Sequence, residues 1–131
     1  MFKLFTLEGA TRMLPVVDAR LRELQDAIGD LHEAQESATG RRIDGIEAQA
    51  VRQELAFLVR AVHDARREVE RLGVQVDDLG SGVVEFPARV GGEVVHLVWQ
   101  RGRDAITHYH RLTGDAAPRP LGDARENRPG G

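Results

Sequence analysis

The sequence predicts an α+β fold: a long antiparallel two-helix hairpin over about residues 7–73, a small three-stranded antiparallel β-meander over about 83–111, and a disordered C-terminal tail over 113–131. Three observations carry this. Apolar residues recur at alternating spacings of three and four through two long stretches, the pattern of an amphipathic helix. From Val83 the period changes to two, in a run rich in Val, which favours strand. From Thr113 apolar periodicity stops and Gly, Pro, Ala and charge take over. Residues 1–112 are read as a single domain.

The first stripe is Leu14, Val17, Leu21, Leu24, Ile28 and Leu31. Thr6 is a suitable N-cap, and Glu8 in the first turn complements the helix dipole. Pro15 removes a backbone donor and crowds the preceding turn, so a kink or break is expected there. Ser37 to Arg42 interrupts the pattern. The second stripe is Ala48, Val51, Leu55, Leu58, Val62, Ala65, Val69 and Leu72, with Gly73 ending it. A helix from Asp44 to Leu72 would be about 43 Å long. Ile43, Ile46, Ala50 and Phe57 form a further apolar strip. A two-helix hairpin cannot bury two strips on itself, so a homodimer forming a coiled-coil-like four-helix bundle is expected.

In the meander, Gly91-Gly92 fits a two-residue hairpin turn between Val83–Val90 and Glu93–Arg101. Pro87 in the first of these argues for an edge strand. Gly102-Arg103 offers a second tight turn, leading to a third strand, Asp104–Arg111. The length of that second loop decides which chemistry is available. A two-residue loop puts His108 and His110 on the face of Phe86, Leu97 and Trp99. A three-residue loop puts Tyr109 there instead, and leaves Glu85, His96, His108 and His110 together on the opposite face. Both registers are compatible with the sequence.

Composition narrows function mainly by exclusion. The chain has 131 residues, 30% of them charged, and a formal net charge of −3, so no global positive charge draws it to nucleic acid or anionic lipid. It has no Cys, which excludes disulfides, thiolate ligands and Cys nucleophiles. No signal peptide or transmembrane run is evident, and a cytoplasmic protein is expected.

His108 and His110 lie two apart on a strand and point the same way. With His96 and Glu85 they are the candidate metal ligands, because imidazoles beside a carboxylate bind divalent metals such as Zn. The competing reading is half-buried histidines with local hydrogen bonds, and Glu85 paired with Arg89, Arg101 or Arg111. His32 and His63 read as surface residues. Asp77-Asp78 can bind a cation, although adjacent acids in a connector are more often solvated. Trp99 and Tyr109 read as core rather than as a stacking platform. The Arg66, Arg67 and Arg71 cluster is broken by Glu68 and Glu70 and reads as a salt-bridged helix face.

Phe5-Thr6-Leu7-Glu8 with Ala10 and Leu14-Pro15, then Leu72-Gly73-Val74 with Val76 and Asp78-Leu79, then Gly82 to Pro87 with Arg89, Gly92, Leu97, Trp99 and Tyr109-His110, and finally Arg119-Pro120, resemble a bacterial family known as domain of unknown function 2203. The family usually has Asp at Glu85, Cys at Val98 and Trp at Tyr109. The resemblance implies a fold and a concentration of polar residues near the sheet, and no reaction.

Two functions are compatible with these features. The first is a non-enzymatic oligomerisation or binding module acting through the helical stripes, with a protein partner or a second copy. The alternative is a small metal- or ligand-binding protein, including a metal-dependent hydrolase, built on Glu85, His96, His108 and His110.

Overall fold

In the computed structural model, residues 4–40, 42, 44–114 and 117–122 are described. Helix α1 spans Leu7–Ala38 and helix α2 Gly45–Glu70. Five strands follow, β1 Gln75–Asp78, β2 Val83–Val90, β3 Glu93–Gln100, β4 His108–Arg111 and β5 Arg119–Pro120. They form one antiparallel sheet in chain order. The expected meander is therefore its centre, and two short strands extend it. β5 lies in the stretch expected to be tail, where Leu121 is buried and its N–H donates to the Thr107 carbonyl at 2.9 Å. Residues 123–131, the rest of that expected tail, lie outside the described residues, as does Ile43 of the second apolar strip.

α1 starts where Thr6 accepts a hydrogen bond from the Gly9 N–H at 2.9 Å. It runs unbroken through Pro15. Ala10, Leu14, Val17, Leu21 and Leu24 are buried on both sides of that residue and hold the helix to the sheet. Pro15 and Thr11, whose carbonyl loses its partner, lie on the exposed side, where solvent can meet that carbonyl. α2 contributes only Val69 to the fully buried set. The core is thus the N-terminal half of α1 against Val84, Phe86, Ala88, Val95, Leu97, Trp99 and Tyr109 of the sheet. The far half of the helical hairpin projects away from it. Among the described residues, no helix is long and apolar enough to cross a membrane.

The Gly91-Gly92 hairpin forms as expected, with φ of 60° and 81° and Val90 opposite Glu93. The next turn differs by one residue. The Arg103 N–H donates to the Gln100 carbonyl at 3.1 Å, which centres the turn on Arg101-Gly102, with Gly102 at φ 100°. Ile106 then tucks into the core, and ladder pairing resumes only at His108, giving a third strand shorter than expected. The resulting register pairs His96 with His110 and Leu97 with Tyr109. This is the second of the two registers, with Tyr109 in the core.

β2 is not an edge, since β1 pairs with one side and β3 with the other. Pro87 is tolerated because β1 pairs only with Val83–Glu85. Beyond that, Phe5 takes the side of β2, donating to the Pro87 carbonyl at 2.8 Å and accepting from the Arg89 N–H at 3.0 Å. In that bridge the nitrogen of Pro87 is not asked to donate.

Candidate metal centre

The outer face of the sheet, away from α1, carries two adjacent rows. One is Glu85, Val98 and His108, and the other is Pro87, His96 and His110. His96 and His110 are direct cross-strand neighbours, and their ring centroids lie 5.3 Å apart. Glu85 reaches diagonally across one pleat toward both. Its Oε1 lies 2.8 Å from His96 Nδ1 and 2.5 Å from His110 Nε2. The side chains are only 11%, 17% and 22% exposed for Glu85, His96 and His110, so the cluster is largely withdrawn from water.

Their ligand atoms all lie within 4.8 Å of one another. His108 shares the face but not the cluster. Val98 separates it from Glu85, which puts it about two strand spacings, roughly 9–10 Å, away. It is exposed and its Nδ1 meets the Thr107 hydroxyl at 2.8 Å. Of the four expected ligands the fold therefore gathers three. Two of the three arginines weighed as partners of Glu85 are engaged elsewhere: Arg101 with Asp18 and Gln25, both at 3.0 Å, and Arg111 with Glu93 at 2.8 Å. His32 and His63 are exposed. Trp99 and Tyr109 are buried, and the Trp99 indole donates to the Arg103 carbonyl at 2.9 Å.

Electrostatics within the cluster follow from this geometry. Burial alone would raise the Glu85 carboxyl, but the hydrogen bonds and positive charge of His96 and His110 outweigh it and hold Glu85 below its ordinary value. Burial would likewise lower His110, yet it lies above its ordinary value, because it donates to Glu85 and to the Arg111 carbonyl and sits near the charges of Glu85 and Asp77. Both acceptors of His110 are satisfied together only when both ring nitrogens carry protons.

One residue beside the cluster was not singled out with it. Between Val76 and Asp78 the β1–β2 register slips, and Asp77 is the bulged residue. Partial desolvation, followed by the negative charge of Glu85, raises its pKa. The available signal was the Val74/Val76 alternation ahead of the Gly80-Ser81-Gly82 turn, which marks a strand antiparallel to β2. Asp78, in contrast, is turned into that turn, accepting from the Gly80 N–H at 3.0 Å and the Ser81 hydroxyl at 2.7 Å.

Chemically the cluster offers two imidazole nitrogens and a carboxylate oxygen converging on one point. A divalent ion there would replace the protons now lying between Glu85 and the two rings. The Arg111 carbonyl, 3.3 Å from His110 Nδ1, is placed to hold the tautomer that leaves Nε2 free to ligate. The donor set therefore suits a borderline divalent ion.

No curated protein and no solved structure matches the chain. A family model described as an uncharacterized conserved protein (DUF2203) matches residues 3–120, most of the 131-residue chain, and the chain belongs to that family.

Proposed function

We propose that this protein binds a divalent transition metal on the outer face of its sheet, through Glu85, His96 and His110. The observation that carries the reading is the convergence of three ligand atoms, all within 4.8 Å of one another, at the one buried charged residue among the described residues. Two imidazoles and one carboxylate leave at least one coordination position on a four-coordinate ion: water or a substrate there would support metal-dependent hydrolysis, and a further side chain there would make the site a structural one. Metal content of untagged protein purified without chelator tests the reading. About one zinc-type ion per chain is expected, lost in His110→Ala and retained in His108→Ala. Metal-free protein, or equal loss in both variants, would count against it.

A second reading, self-association, has its own support. Phe57 is 70% and Ile46 87% exposed on α2, and among the described residues no third layer covers the half of the hairpin beyond the sheet. Two copies packing these faces would make a four-helix bundle. Sedimentation at micromolar concentration is expected to give a dimer that Phe57→Glu converts to monomer. A monomeric wild-type chain would exclude it. The two readings are compatible, since the metal cluster and the α2 face lie on different parts of the molecule.

A further inference from the structure

We infer that Asp77 is a fourth ligand of this centre, so that the ion is held by two imidazoles and two carboxylates and must be a divalent cation that accepts nitrogen and oxygen donors. The inference rests on the metal-binding reading of Glu85, His96 and His110 and extends it by one residue and by the class of ion.

The β-bulge is the first support. Regular pairing runs Gln75 with Glu85 and Val76 with Val84, and then skips to Asp78 with Val83. The inserted residue, Asp77, is released from the ladder beside Glu85. Bulges re-aim a side chain at the cost of a local break in pairing, and they recur next to functional sites. Here the side chain released is a carboxylate. It lies within electrostatic range of Glu85 and of His110. It stands outside the group whose ligand atoms are mutually within 4.8 Å. Being exposed, it is free to change rotamer and follow an ion.

Charge supplies the second support. Two neighbouring carboxylates repel each other, and a cation between them turns that repulsion into attraction. With two neutral imidazoles, the carboxylates of Glu85 and Asp77 carry a formal charge of about −2, which a divalent ion neutralises in a site largely withdrawn from water. A monovalent ion would leave a net charge there. Soft ions that require thiolate find no donor, because the chain has no Cys. First-row divalent ions that accept imidazole and carboxylate, Zn²⁺, Co²⁺, Ni²⁺, Cu²⁺, Fe²⁺ and Mn²⁺, remain as the class.

The test is a Co²⁺ titration of the full chain followed by visible absorption, on wild type, Asp77→Asn, Asp77→Ala and His110→Ala. Folding of each variant is checked by circular dichroism, and the Asn variant keeps the size of the side chain. Expected is one Co²⁺ per wild-type chain, with binding weakened about 100-fold or more in both Asp77 variants and the ligand-field spectrum changed. Wild-type binding that His110→Ala abolishes, but that both Asp77 variants keep within about tenfold and with the same spectrum, would overturn the fourth ligand and leave the three-residue site standing. Weaker binding with an unchanged spectrum would also overturn it, because Asp77 would then act only through its charge. Failure of the wild type to bind Co²⁺ would overturn both readings.

Discussion

Glu85 is the residue on which the outer face turns, and its single oxygen Oε1 ties β2 to β3 through His96 and to β4 through His110. The pH behaviour of the fold should carry its signature. Glu85 lies below its ordinary 4.5, so its stabilising contribution is complete above that value and is lost as pH falls through its lower folded pKa. His110 lies above its ordinary 6.5, so its contribution is complete below that value and is lost as pH rises through its higher folded pKa. Both contributions are complete together between 4.5 and 6.5. In metal-free protein, Glu85→Gln is expected to cost about 1–3 kcal/mol in that window, since it leaves buried imidazole donors with a weaker acceptor. The same substitution should lower the His110 pKa, which NMR titration reads directly. Urea unfolding at several pH values checks the stability loss, and a loss that does not shrink above the His110 pKa would contradict the pairing.

At the scale of elements, local signals governed what could be read from the chain. The Gly91-Gly92 hairpin was legible because alternation on both sides and the turn residues agree within a few positions. The stripe on α1 was legible for the same reason, and its buried members match it as far as Leu24. β5 was not, because two residues are too few to establish a period, and β1 showed only in the brief Val74/Val76 alternation. The Arg101-Gly102 turn decided the face of His108 and His110, and either placement of that Gly suited the sequence. Only the hydrogen bond from Arg103 to Gln100, together with core space for Ile106 and Tyr109, selects the register. The β1–β2 connection depends in turn on Gly82. Its φ is 73°, and a Cβ there would stand 2.9 Å from Arg101 Cβ and 3.3 Å from Gln25 Nε2. Strained backbone and the close approach together predict that Gly82→Ala costs about 1–3 kcal/mol. Chemical denaturation measures it, and a change below about 0.5 kcal/mol would mean that the connection is looser than its geometry.

The whole molecule divides into a packed end and a projecting end. At the packed end, α1 covers one face of the sheet and leaves the other for the Glu85, His96 and His110 cluster. That division explains why a charged residue is buried without opening the core: Glu85 points away from Phe86 and Leu97, and its neighbours supply its hydrogen bonds. Among the described residues, no buried side-chain polar atom lacks a partner, so the cluster is a completed network in the metal-free chain. The projecting end, with Phe57 and Ile46 exposed, is where a second copy is proposed to pack. X-ray absorption at the zinc edge of zinc-loaded protein tests the metal site at the packed end. Expected is a shell of nitrogen and oxygen donors at about 2.0–2.2 Å with the outer scattering of two imidazoles, the same in His108→Ala as in wild type. An absence of imidazole scattering in wild type, or the loss of one imidazole in His108→Ala, would contradict that site.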